Sequence, residues 1–138
     1  MNEIISVFHS LSKNLLDIHK TSCEGISVIQ SSILYEINLL KNPSMQTVAD
    51  AIRMDITTFS RQISSLEKKA LIARNPYEGD RRIYILSLTE KGKKTMEVTN
   101  EVIVFKMENT LATMNDFERE TVIRSLHVLE EKLRTYRQ

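Results

Sequence analysis

Apolar positions along the chain follow first one period and then another. Ile4, Phe8, Leu11, Leu15 and Ile18 recur at alternating spacings of four and three, one narrow stripe along a helix that ends between Thr21 and Gly25. From Ser27 to Leu40 the residues Val28, Ile29, Ile33, Leu34, Ile37 and Leu40 spread over a wide arc, which predicts a buried core helix. Lys41-Asn42-Pro43-Ser44 breaks it. Ser44 can cap a short helix in which Met45, Val48, Ala49 and Ile52 follow the i, i+3, i+4, i+7 pattern. After a tight connection at Arg53-Met54, Asp55 is placed as the N-cap of a helix from Ile56 to Lys69. Its inward residues are Phe59, Ile63 and Leu66. Thr57, Thr58, Ser60, Arg61, Gln62, Ser64 and Ser65 lie mostly on other faces, an outer surface rich in short polar side chains.

The period then falls to about two. Leu71–Arg74 and Arg82–Leu88 read as strands joined by Asn75-Pro76-Tyr77-Glu78-Gly79-Asp80, with Arg81 and Arg82 near the hairpin tip. No other segment reads as β structure. From Thr89 a helix runs to about Leu111, with Met96, Thr99, Ile103 and Met107 along one side and Gly92 as a weak point near its start. A last helix starts at Asn115, whose side chain can pair with Glu118 in a capping box. Along it Val122, Leu126, Leu129, Leu133 and Tyr136 repeat the narrow stripe of the first helix.

At 138 residues, 41% of them hydrophobic and 27% charged, the chain suits one domain over 1–138. No apolar run is long enough to cross a membrane, and the N-terminal segment opens with an acid where a secretory signal would be basic, so the expected location is cytoplasmic. A lone cysteine, Cys23, excludes a disulfide framework and a Cys-rich zinc site. The net charge of +1 conceals an uneven spread. Residues 41–94 hold 11 Lys/Arg against 6 Asp/Glu, while the rest hold 8 against 12. A basic middle between acidic ends suggests that one segment meets an anionic partner.

Two short helices joined by a tight turn, the second with polar and basic outward residues, followed by a basic-tipped hairpin, make a winged helix-turn-helix. The fold class expected is therefore mainly α with a small β-hairpin wing, the winged helix-turn-helix occupying residues 41–94 and dimerisation helices residues 1–25 and 95–138. A helix fits the major groove of B-DNA, where Arg, Gln, Ser and Thr match the donor and acceptor patterns of base edges. Thr57, Thr58, Ser60, Arg61, Gln62 and Ser64 are the candidates for that contact. A hairpin can carry a guanidinium into the minor groove, where narrow A·T-rich stretches concentrate negative potential. Arg82 is the candidate for the groove and Arg81 for a phosphate, with a solvated hairpin tip paired to Glu78 or Asp80 as the plainer reading. The narrow stripes suit helix pairing better than a broad core face. They make Ile4, Phe8, Leu11, Leu15, Val122, Leu126, Leu129 and Leu133 candidates for a homodimer interface.

The sequence resembles the MarR (multiple antibiotic resistance regulator) family. The resemblance runs from Val48-Ala49 through DITTFSRQISSLEKKALIAR and EGDRRIYILSLTEKGKK. It is carried by Thr58-Phe59-Ser60-Arg61, by Leu66-Glu67-Lys68-Lys69 ahead of Leu71-Ile72-Ala73-Arg74, and by Asp80-Arg81-Arg82 leading to Leu88-Thr89-Glu90-Lys91-Gly92. The resemblance implies a homodimer built from the first and last helices. It also implies that the helix from Ile56 to Lys69 enters the major groove, and that Arg82 sits at the wing tip steadied by Asp80. Arg53 and Ala70 stand where the family usually has Gly, positions that favour left-handed backbone at roughly 1 kcal/mol of cost for other residues.

The implied partners are double-stranded DNA with a pseudo-palindromic operator, a second copy of the chain, and a small apolar or phenolic effector that releases a repressor. The alternative is a winged-helix protein-interaction module without specific DNA binding. No metal or cofactor is expected, because His9, His19 and His127 lack ligand spacing. The chain has no Gly-rich phosphate loop, no G-x-S-x-G and no nucleophile–base motif, so an enzyme is not expected either. Cys23 lies beyond the first helix's stripe and beside Glu24, which disfavours a reactive thiolate.

Overall fold

The computed structural model describes residues 2–136; Met1, Arg137 and Gln138, which the expected domain 1–138 includes, lie outside the described residues. The elements are α1 (Asn2–Ser22), α2 (Val28–Leu40), α3 (Met45–Ala51), α4 (Ile56–Lys68), β1 (Ile72–Tyr77), β2 (Asp80–Leu88), α5 (Glu90–Ala112) and α6 (Asp116–Tyr136). The chain divides into two compact units, one running to Ile103 and the other from Val104 onward.

The first unit is built around α2, α3, α4 and the hairpin. Ile33, Leu34 and Ile37 of α2, Val48 and Ala49 of α3, Phe59, Ile63 and Leu66 of α4, and Leu71, Ile72, Leu86 and Met96 form one buried cluster. The sequence expectation for α2 was too broad: Ile29 and Leu40 are exposed, and only the middle of the apolar arc reaches the core.

Local chemistry starts each helix. The Ser27 hydroxyl accepts the Gln30 backbone N–H at 3.1 Å while the Gln30 side-chain oxygen accepts the Ser27 N–H at 3.4 Å, a capping box at the head of α2. Ser44 caps α3 through the Thr47 N–H at 3.1 Å, and Asp55 caps α4 through the Thr58 N–H at 3.0 Å. That last bond also holds the Asp55 carboxyl below the usual range.

The same two helices end alike. In α3 the Arg53 N–H donates to Asp50 O and the Met54 N–H to Ala49 O; in α4 the Ala70 N–H donates to Glu67 O and the Leu71 N–H to Leu66 O. Both are Schellman endings, and both need a left-handed residue just past the cap. Arg53 (φ 57°) and Ala70 (φ 59°) adopt it, so the geometry usual for Gly survives without Gly.

The hairpin corrects the expected strand limits. β1 extends through Pro76 to Tyr77 and β2 begins at Asp80, which leaves only Glu78-Gly79 as the turn and Leu71 outside the strand. The register passes from Pro76↔Tyr84 directly to Tyr77↔Asp80, so Arg81, Arg82 and Ile83 sit in an irregularity outside the regular ladder. Pro76 has no N–H to give a ladder, which suits that break. At its base the hairpin gains a bridge between Ser44 and Ile85, supported by a bond from the Leu86 N–H to Pro43 O at 2.8 Å.

Gly92 is more than a weak helical position. A Cβ built on it collides with the backbone carbonyl of Leu71. Thr89 fastens the same corner: its hydroxyl donates to Ala70 O at 2.7 Å and accepts the Gly92 N–H at 3.0 Å, and Lys91 Nζ donates to Lys69 O at 3.0 Å.

In the second unit Asn115 and Glu118 form the expected capping box, the Glu118 N–H reaching Asn115 Oδ1 at 2.9 Å and the Asn115 N–H reaching Glu118 Oε1 at 3.4 Å. No described residue of α6 is buried.

Candidate nucleic-acid interface

Burying Phe59, Ile63 and Leu66 turns the opposite side of α4 outward. Thr57, Thr58 and Arg61 are exposed, and Ser60 and Ser64 are half-buried. A shallow hollow of about 370 Å³ is lined by Ser60, Arg61, Ser64, Ser65 and Lys68. Lys68 was missed in the sequence reading, although it follows Ser64 by four residues and Arg61 by seven and so continues their row. Gln62 departs from the row. It is half-buried, and its side-chain oxygen accepts a bond from Gln30 Nε2 at 3.3 Å.

At the wing, Asp80 Oδ1 accepts both the backbone N–H and the Nε–H of Arg82 at 3.0 Å, and Asp80 Oδ2 accepts Nη2 at 2.9 Å. The Arg82 side chain nevertheless stays 90% exposed. The pairing lowers the Asp80 pKa, chiefly through the side-chain bonds from Arg82, and raises that of Arg82. Arg81 is exposed and lines a separate hollow with Pro76, Tyr77 and Glu78.

Arg74 ties α4 to the wing. Its Nη2 meets Glu67 Oε1 at 3.2 Å and its guanidinium lies 5.1 Å from the centre of the Tyr84 ring. Between α4 and the wing opens a cleft of about 430 Å³ whose walls include Met45, Ile56, Ser60, Arg74, Arg82 and Tyr84. Sequence reasoning did not find Arg74, because Glu67 and Tyr84 come to it only through the fold.

The candidate interface residues on α1 and α6 stay outside the core. Ile4, Phe8, Leu11 and Leu15 are exposed, as are Leu126, Leu129 and Leu133, and Val122 is half-buried. Cys23 is half-buried with its thiol donating to His19 O at 3.2 Å. Among the described residues no group of three or more His, Cys, Asp or Glu is placed to hold a metal ion, and no helix is long and apolar enough to cross a membrane.

The sequence profile of the MarR family matches residues 26–84, the stretch from the capping box of α2 to the middle of β2. The HTH-type transcriptional regulator BilQ of Clostridium symbiosum is 30% identical over 108 residues, 77% of this chain and 74% of BilQ. The chain belongs to the MarR family. That membership makes it a DNA-binding transcriptional regulator of the winged helix-turn-helix type. Likeness to a single relative extends beyond the profile: the uncharacterized HTH-type transcriptional regulator YybA of Bacillus subtilis is 27% identical over 135 residues, 96% of this chain and 90% of YybA. The MarR-type fold is shared with Streptococcus pneumoniae FabT, solved in complex with DNA, at a TM-score of 0.86, with 98% of each chain covered and 22% identity.

Proposed function

We propose that this regulator binds a pseudo-palindromic operator as a homodimer, with α4 in successive major grooves and the wings in the flanking minor grooves. The observation that carries the reading is the pairing at the wing. Asp80 holds the Arg82 guanidinium in one orientation while leaving it in solvent, which suits insertion into a narrow groove of high negative potential. Thr57, Thr58, Ser60, Arg61 and Ser64 read base edges or nearby phosphates, and Arg81 and Lys68 add phosphate contacts. Gln62, engaged with Gln30, contributes by holding α4 in place more than by reaching a base.

Dimerisation is supported by the apolar stripes of α1 and α6, whose large side chains are exposed in the single chain. A twofold axis spaces the two recognition helices about one turn of DNA apart. Occupying an operator that overlaps a promoter represses transcription. A small apolar or phenolic effector that favours another spacing by about 3 kcal/mol weakens operator binding roughly a hundredfold. A hollow of about 220 Å³ near the α1–α2 connection, lined by Glu24, Lys91, Lys94, Thr95, Val98 and Thr99, pairs apolar wall with cations that suit a phenolate. The setting for this activity is the cytoplasm.

The test is binding to a duplex from upstream of the protein's own gene against a scrambled duplex, at two salt concentrations. The proposal expects tight, sequence-preferring binding with one dimer per site. Weak and equal binding to both duplexes that collapses with salt would leave only the electrostatic component and favour a protein-interaction module.

A further inference from the structure

Gln30 is 5% exposed, yet all four of its side-chain hydrogen-bonding positions are used. Its Oε1 accepts the Ser27 N–H at 3.4 Å and the Lys69 ammonium at 2.8 Å. Its Nε2 donates to Gln62 Oε1 at 3.3 Å and to Ser65 Oγ at 3.1 Å. Three of those partners, Gln62, Ser65 and Lys69, lie on α4 or its C-cap, and the fourth is the N-cap of α2. Lys69 Nζ also donates to Gly25 O at 3.1 Å, which binds the α1–α2 connection to the end of α4. One residue further along α2, the Ser31 hydroxyl meets His19 Nε2 on α1 at 2.9 Å.

We propose that Gln30 is the positioning residue for operator discrimination, the joint that sets how α4 is presented against α2. The inference rests on the reading of α4 as the DNA-reading helix. Apolar packing of Phe59, Ile63 and Leu66 resists withdrawal of α4 from the core, but such contacts are non-directional and tolerate small rotations and slides. Directional bonds from a saturated buried amide to two side chains one turn apart on α4, together with the ammonium at its end, restrict both movements. Gln62 and Ser65 occupy the flank next to the reading face. Moving the joint therefore moves Arg61 and Ser64 with it. Base readout depends on that placement, whereas binding to phosphates in general depends mainly on charge.

The experiment uses the full-length protein, a duplex enriched by the wild type from a randomised pool, and a scrambled duplex of equal length and composition. Gln30→Met keeps the shape of the side chain and removes its hydrogen bonds; the preference for the enriched duplex is expected to fall by about tenfold or more, with affinity for the scrambled duplex and the helical circular dichroism unchanged. Gln30→Glu is expected to restore most of the preference, since the Ser27 N–H, the Lys69 ammonium, the Ser65 hydroxyl and a reversed Gln62 amide can all donate to a carboxylate. Ser65→Ala, a change small enough to leave the fold intact, is expected to lower the preference about threefold. An unchanged preference in Gln30→Met or Ser65→Ala overturns the assignment. So does an equal loss on both duplexes that Gln30→Glu fails to rescue, because that pattern belongs to a scaffold residue. A wild type without any preferred duplex would instead sink the DNA-reading role of α4 itself, a result distinct from wild-type preference that survives Gln30→Met.

Discussion

Asp80 grips the Arg82 guanidinium through Nε and Nη2 at 3.0 and 2.9 Å, while the Arg82 side chain remains 90% exposed. A surface ion pair of this kind adds little to folding stability, but it fixes an otherwise flexible side chain before any partner arrives. Arg82→Ala is expected to weaken operator binding by roughly tenfold to a hundredfold, in line with the loss of one well-placed groove contact. Asp80→Ala leaves the cation and removes its orientation, so a smaller loss of about threefold to tenfold is expected. Thermal unfolding of both variants should match the wild type. Titration of an operator duplex with each variant checks the order of the two losses.

The pairing also sets a pH window. Asp80 has its carboxyl lowered from the ordinary 3.8 by the bonds from Arg82, so its favourable contribution is present above that value and is lost as pH falls through the depressed one. Arg82, raised by the same contact, keeps its charge well beyond neutral pH. Wing order should therefore be constant across neutral pH. Side-chain NMR of the Arg82 Nε–H between pH 5 and 8 is expected to show no titration step from this pair.

What was legible in the sequence was mostly what short-range chemistry dictates. Ser44, Asp55 and Asn115 each act within three residues of themselves, and each caps the helix expected of it. The row Phe59, Ile63, Leu66 revealed the buried side of α4 because helical period alone defines it. Contacts between distant parts of the chain left no such trace. Gln62 reads from the sequence as one of the outward residues of α4, and the bond it accepts from Gln30, 32 residues earlier, is set by the fold alone. The hairpin ends were misread because Pro76 and Tyr77 resemble turn residues, whereas an edge ladder with an irregularity accommodates them. Ile29 and Leu40 look like core residues because they border the apolar arc of α2, and nothing in helical period says that this edge of the arc is left uncovered while Gln30 and Ser31 beside Ile29 are buried.

Arg53 and Ala70 hold left-handed backbone at φ 57° and 59° so that α3 and α4 can close their Schellman endings. Each carries a Cβ that this conformation disfavours by about 1 kcal/mol. Arg53→Gly and Ala70→Gly are each expected to raise stability by roughly 0.5 kcal/mol or less, the larger flexibility of Gly in the unfolded chain offsetting part of the relief. Urea unfolding should show a higher midpoint with an unchanged slope; a lower midpoint in both variants would contradict the strain argument.

Gly92 behaves oppositely. A Cβ there meets the Leu71 carbonyl, the same carbonyl that accepts the Thr89 N–H at 3.1 Å. Ala is the better helix former by about 1 kcal/mol, so propensity alone predicts stabilisation by Gly92→Ala. The collision with backbone outweighs it, since neither Leu71 nor α5 can shift without breaking the corner held by Thr89 and Lys91. A net destabilisation of about 1–3 kcal/mol is expected, read as a drop in the thermal midpoint.

The stripes on α1 and α6 make the last prediction. Leu129 is 50% exposed on a helix with no described buried residue, flanked along its stripe by the exposed Leu126 and Leu133. In a lone chain such a face costs solubility without adding core, whereas against a second copy it supplies an apolar seam. Leu129→Arg introduces a charge that a lone helix solvates freely and a seam cannot. The variant is expected to retain its helical content and to sediment as a monomer at concentrations where the wild type is a dimer. Operator affinity should fall by about a hundredfold, because two half-sites are no longer engaged together, while binding to a single half-site changes little. A variant that stays dimeric would move the interface away from this stripe.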